Sequence, residues 1–110
     1  MTYGPYEIES LIFGLGLPEW ESRANAASEL GRYDDLRAVD ALLDLLGTDE
    51  NTAVLMEVVA SLDRIRSRRS RDGLLAFANR HQLGTLQEER CSVAALRAVD
   101  RLDARPDPDF

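Results

Sequence analysis

Apolar residues along the chain recur three and four positions apart, the spacing that lines them up on one side of an α-helix. Leu36, Val39, Leu42, Leu43 and Leu46 form one such stripe. Val54, Leu55, Val58, Val59, Leu62 and Ile65 form a second, and Val93, Leu96, Val99 and Leu102 a third. No segment alternates apolar and polar residues as a half-buried strand does. Punctuation between the stripes divides the chain into six predicted helices. The first runs from about Tyr6 to Gly16, with Pro5 near its start. Pro18 suits the first turn of the second, where its missing N–H costs nothing, and Glu19 and Glu21 favour the positive end of the helix dipole. Gly31 and the Asp34-Asp35 pair mark a turn, and a third helix runs to Leu46 and stops at Gly47. Thr48 to Thr52 is a loop rich in capping residues before a fourth helix, about Ala53 to Arg66. Ser70 caps a fifth that ends near His81, and Thr85 with Glu88 three residues later makes a capping box opening the sixth.

The helices repeat. With a shift of 32, Ala27-Ser28-Glu29-Leu30-Gly31-Arg32-Tyr33 falls on Val59-Ala60-Ser61-Leu62-Asp63-Arg64-Ile65, and Asp40 to Leu46 falls on Asp72 to Ala78. A shift of 34 carries Val59, Ala60, Leu62 and Ile65 onto Val93, Ala94, Leu96 and Val99. Two segments sharing one offset point to a repeat architecture. Connections of a few residues force antiparallel neighbours, so the predicted fold is all-α, a stack of about three helical hairpins. Leu42, Leu62 and Leu96, at repeat-consensus apolar positions, are predicted to be buried between hairpins. Residues 1–103 form a single repeat domain, and residues 104–110, with Pro106 and Pro108 among charges, a disordered C-terminal tail.

Composition narrows the function. With 45% hydrophobic and 30% charged residues the chain is globular, and its longest apolar run, Leu11 to Leu17, is interrupted by Gly14 and Gly16. No basic segment precedes an apolar stretch at the N-terminus, and the lone Cys91 makes no internal disulfide, so a reduced, cytoplasmic setting fits. One cysteine and one histidine offer little for a metal site, and no cofactor is implied. All 13 basic residues are arginine, a pattern that fits the codon bias of a GC-rich genome. The net charge of −7 disfavours nucleic acid, but it is unevenly spread. Residues 1–63 hold 13 acids and 3 arginines, whereas residues 64–110 hold 7 acids and 10 arginines.

The segment from Arg23 through Ala26, Ala27, Leu30 and Gly31 to Ala38-Val39-Asp40-Ala41-Leu42-Leu43-Asp44-Leu45-Leu46 resembles the HEAT-like repeat of the phycocyanobilin-lyase type. In that pattern a basic residue precedes small residues and a Leu-Gly pair, and a second helix ends in paired leucines. The match is good over residues 19–47, fair over 51–79 and partial over 86–103, with Leu11 to Leu15 resembling the second helix of a truncated preceding repeat. Leu55 and Glu89 stand where Arg23 supplies the usual arginine, and Asp40 and Asp72 where proline is frequent. The resemblance implies a small bacterial α-α superhelix of HEAT-like hairpins. It implies little about activity, since lyase subunits, DNA-repair glycosylases and plain scaffolds share the repeat.

Candidate functional residues fall into three groups. Glu9, Asp40 and Asp72 occupy equivalent positions on the three second-type helices, which line the concave side of HEAT-like stacks, and with Asp44 they form a candidate acidic surface. The competing account is the ordinary preference of acids for first helical turns. Trp20 is a candidate binding anchor or an end cover for a short stack. Arg64, Arg66, Arg68, Arg69 and Arg71 put five arginines in eight residues at one hairpin turn, either to clamp phosphate or an acidic partner, or to pair with Asp63, Asp72 and the acidic half. His81 and Cys91 lack a third orienting group, so no catalytic residue is assigned. The expected function is a non-catalytic protein-interaction module, an adaptor, regulator or immunity-type binder, monomeric or weakly self-associating, with a basic protein partner and no membrane partner. Phosphate or nucleic-acid binding by the arginine turn is the second reading, and an enzyme or lyase subunit the third.

Overall fold

The computed structural model describes residues 5–80 and 86–104. Among them are six α-helices and no strand: α1 (Pro5–Gly14), α2 (Trp20–Leu30), α3 (Leu36–Thr48), α4 (Thr52–Ile65), α5 (Arg71–Arg80) and α6 (Leu86–Asp103), with a 3₁₀ turn at Arg68–Ser70 before α5. His81, the N-terminal residue Thr85 of the expected capping box and the chain beyond Ala104 lie outside the described residues.

Local chemistry sets the helix starts. The Asp35 carboxylate accepts from the Arg37 N–H at 2.8 Å, and the Asn51 side chain accepts from the Ala53 and Val54 N–H groups at 2.9 and 3.2 Å. Each satisfies backbone donors that the first helical turn leaves without a partner. Three boundaries differ from the sequence reading. Gly47 lies inside α3, whose cap is Asp49, because nothing at that position requires a left-handed backbone. Pro18 precedes α2, which starts at Trp20. Ser70 does not cap α5: its hydroxyl donates to the Ser67 carbonyl at 2.7 Å inside the 3₁₀ turn, and Ser67 is that turn's cap.

The helices form two layers. α2, α4 and α6 lie side by side in one, α1, α3 and α5 in the other, and consecutive helices approach closely as α1/α2, α3/α4 and α5/α6. The hairpins of closest packing are therefore offset by one helix from the units of sequence repetition. A thickness of 17 Å against 40 and 38 Å across matches two helix layers about 8–10 Å apart. One apolar cluster, from Ile8 through Leu42, Val58, Leu62 and Phe77 to Leu102, runs between them.

The layers are spaced differently. α2 and α4 come close because Ala27 and Gly31 face Ser61, whose hydroxyl donates to the Ala27 carbonyl at 2.6 Å. α1 and α3 stand further apart and leave a shallow groove. At α6 the expected stripe is only half right. Val99 and Leu102 are buried, but Val93 is 47% and Leu96 37% exposed, and small residues (Cys91, Ser92, Ala95 and Ala98) fill the interface instead. The buried face is thus rotated from the one drawn by the largest apolar residues. The reason is that α6 packs tightly against both α4 and α5, which admits small side chains and turns large ones outward.

Candidate functional site

The layer of α1, α3 and α5 carries the acidic candidates. Glu9 on α1, Asp40 and Asp44 on α3 and Asp72 on α5 all point to solvent, Asp72 with a side chain 98% exposed. Between α1 and α3 the groove, about 280 Å³, is floored by Ile12, Leu15, Ala41 and Leu45 and edged by Asp44. These carboxylates do not share one status. Asp40 holds Arg69 in a two-point pair, accepting from Nε at 2.6 Å and from Nη2 at 3.1 Å. Asp72 lies 3.7 Å from the Arg71 guanidinium.

The arginine turn is built by the C-terminus of α4 and the 3₁₀ turn. Arg66 caps α4 with a left-handed backbone, φ 58°, ψ 42°, and donates its N–H to the Leu62 carbonyl. The chain thereby reverses, and Arg68 to Arg71 are delivered along the edge of α3. Arg69 binds Asp40, and Arg71 binds Asp103 of α6 through Nε at 2.7 Å and Nη2 at 3.1 Å. Hydrogen bonding from Arg71, ahead of the attraction of Arg71 and Arg68, holds the Asp103 carboxyl below the usual carboxylate range, against a smaller opposing effect of burial. Arg64 lies 3.5 Å from the Ser61 hydroxyl. Asp63, a sequence candidate for pairing with this turn, instead accepts from Arg101 of α6, with Nε at 2.8 Å. A phosphate held by Arg69 and Arg71 would have to displace two bidentate carboxylates.

A further junction was invisible in the sequence. Arg23 Nε donates to Asp49 at 2.7 Å, while its Nη1 donates to the carbonyls of Leu17 and Pro18 at 3.1 and 2.8 Å. The Asp49 side chain is 4% exposed and also accepts from the Asn51 N–H. The pair thus ties the α1–α2 loop to the α3–α4 loop. Hydrogen bonding to Asp49 raises the Arg23 pKa above its ordinary value. The signal available beforehand was the arginine of the repeat pattern, but its partner is 26 residues away.

Trp20 opens α2 and is 44% exposed, so it neither inserts into the core nor stands clear of it. Cys91 is buried, its thiol directed at the Thr52 carbonyl 3.9 Å away. Among the described residues no three His, Cys, Asp or Glu side chains gather as a metal site would require, and no buried side-chain nitrogen or oxygen lacks a hydrogen-bond partner. No described helix is long and apolar enough to cross a membrane.

No curated protein matches the chain. A family model for HEAT repeats matches residues 8–94, most of the chain, in agreement with the stacked antiparallel pairs, and the chain belongs to the HEAT-repeat family.

Proposed function

We propose that this protein is a non-catalytic protein-interaction module, an adaptor, regulator or immunity-type binder, that presents the exposed face of α1, α3 and α5 to a basic partner. HEAT repeats generally mediate protein–protein interaction. The observation that carries the choice of face is the grouping of Glu9, Asp44 and Asp72 with Asp40 on one layer, beside an apolar-floored groove. An apolar floor with a charged edge provides both burial and steering, and opposite charge accelerates encounter. The arginine turn is the weaker candidate, because Arg69 and Arg71 already bind carboxylates and the net charge of −7 repels polyanions.

The test compares wild type with Glu9→Lys/Asp44→Lys/Asp72→Lys and with Arg64→Glu/Arg68→Glu, each immobilised and exposed to total cell protein at low and physiological salt. Asp40 and Arg69 are spared, since changing either breaks their pair. Retention of basic proteins by wild type, lost in the acidic-face variant and kept in the arginine variant, is expected. Retention lost only with the arginine variant, or nucleic acid retained at physiological salt, would refute the reading.

A further inference from the structure

We infer that the outer face of α6 is a self-association surface, and that its partner is the α6 of a second copy of this chain, lying antiparallel and crossing near Val93. α6 is the last described helix, and its outer face sets large apolar residues among exposed charged ones. Three of its large apolar residues are open to solvent: Leu86 at 65%, Val93 at 47% and Leu96 at 37%. Met56 of α4, 40% exposed, continues the patch across a groove of about 440 Å³ that Ala94 also lines.

Charge complementarity selects the occupant. Among the described residues, the exposed charged side chains along this face up to Asp100 are Glu89, Arg90, Arg97 and Asp100, two of each sign. A balanced face attracts neither a polyanion nor a strongly basic protein. The order of the charges is self-complementary. Glu89 lies four residues before Val93 and Arg97 four after it, so the three form one i±4 ridge, bearing opposite charges at its ends. In the commonest helix packing, i±4 ridges of two helices run side by side at about −50°. Two copies of this ridge placed antiparallel bring Glu89 of each copy to Arg97 of the other, with the two Val93 side chains between them. Such an interface is isologous and closes as a dimer. Among the described residues no side-chain hydrogen bond or ion pair engages Glu89, Arg90 or Arg97 within the chain, so no internal pair must be broken first. One helix face is a small interface, below about 1,200 Å² in total, so association is expected to be weak.

The experiment is sedimentation of the full chain from about 1 μM to about 1 mM. Wild type is expected to dimerise with increasing concentration. Glu89→Arg and Arg97→Glu alone should each weaken the dimer about tenfold or more, since each reversal sets like charges opposite one another twice. The combined swap Glu89→Arg/Arg97→Glu should restore it, and an equimolar mixture of the two single variants should form a heterodimer. Both positions are exposed, and unchanged circular dichroism will show that the variants fold. A wild type that stays monomeric throughout, its α6 face covered by another protein or by the chain's own C-terminal residues, overturns the inference. So does a dimer indifferent to both reversals, or one that the swap fails to restore.

Discussion

Replacing Gly31 by alanine puts the packing of the α2/α4 layer to a direct test. Gly31 caps α2 with an ordinary right-handed backbone, φ −65°, ψ −7°, so alanine meets no conformational barrier. Alanine instead meets α4. A Cβ at this position would lie 2.5 Å from Ser61 Oγ, 2.8 Å from its Cβ and 3.0 Å from its Cα, where ordinary contact begins at 3.4 Å. Rotating the serine relieves only the first of these, so the two helices must part by several tenths of an ångström. That movement also stretches the Ser61 bond to the Ala27 carbonyl, an acceptor near the helix end, where the Gly31 N–H turns to Ser28 and Glu29 instead. Overpacking costs about 1–3 kcal/mol and the hydrogen bond about 0.5–1.5, whereas the stiffer unfolded chain returns about 0.4–1. A net loss of about 1–3 kcal/mol in urea unfolding is expected. The same substitution at Gly47, where nothing lies within 4 Å, should stabilise by about 0.5–1 kcal/mol, because α3 gains a better helix former. At Gly73 the new methyl meets only the tip of Leu43, 2.7 Å away, which can swing aside, so little change is expected. A Gly31→Ala protein as stable as wild type, or a Gly47→Ala protein equally damaged, would refute this account of helix spacing.

Other substitutions check other parts of the structure. Leu62→Ala, at a side chain 1% exposed, should cost about 2–5 kcal/mol in chemical denaturation, whereas Leu96→Ala, at 37% exposure, should cost less than about 1. Ser61→Ala should lose about 1–3 kcal/mol by leaving the Ala27 carbonyl without its donor, measured by the same assay. The Asp103 carboxyl titrates lower folded than unfolded, so its contribution to stability is present above the unfolded pKa of about 3.9 and is lost as pH falls through the folded value. Denaturation curves below about pH 4 should therefore be flatter in Arg71→Gln, and NMR titration should show its Asp103 returning toward the ordinary range.

The fold was legible because its signals are local. Apolar spacing, the Asp34-Asp35 turn, the cap-rich Thr48 to Thr52 loop and the 32-residue offset all act within one or two helices, and they recovered six helices with most of the core of α3 and α4, although Leu36 of the α3 stripe is exposed. Where reading failed, a tertiary choice was made between local options. The pattern on α6 offered two faces, one of large residues centred on Val93 and Leu96 and one of small residues from Cys91 to Ala98. Size favoured the first, but close approach of α4 and α5 selected the second. The sequence points to Ser70 as the cap of α5, but a 3₁₀ turn precedes that helix, and Ser67, three residues earlier, caps that turn. For the candidate surfaces, residue types were readable and partners were not. Nothing in the chain indicates that Arg23 reaches Asp49, or Arg71 Asp103, because such pairings depend on which loops the stack brings side by side.

That dependence changes how the charge distribution acts. By position in the chain, the acidic first 63 residues and the basic remainder read as separate surfaces offered to different partners. In space they interlock, since Arg69 from the turn pairs with Asp40, the central member of the acidic set, 29 residues away. The turn's positive charge is partly spent on the acidic layer, and that layer's outward charge falls to Glu9 and Asp44, with Asp72 beside an Arg71 that Asp103 already holds. Exposed pairs of this kind add little stability, with a median of about 0–1 kcal/mol, so their main effect is to fix where charge is available. On the function proposed above, a basic partner would meet carboxylates on α1, the far end of α3 and α5, with a neutralised centre between them. The spacing of its cations would then have to match that gap: a ladder of evenly spaced basic residues would leave its middle charge facing Arg69.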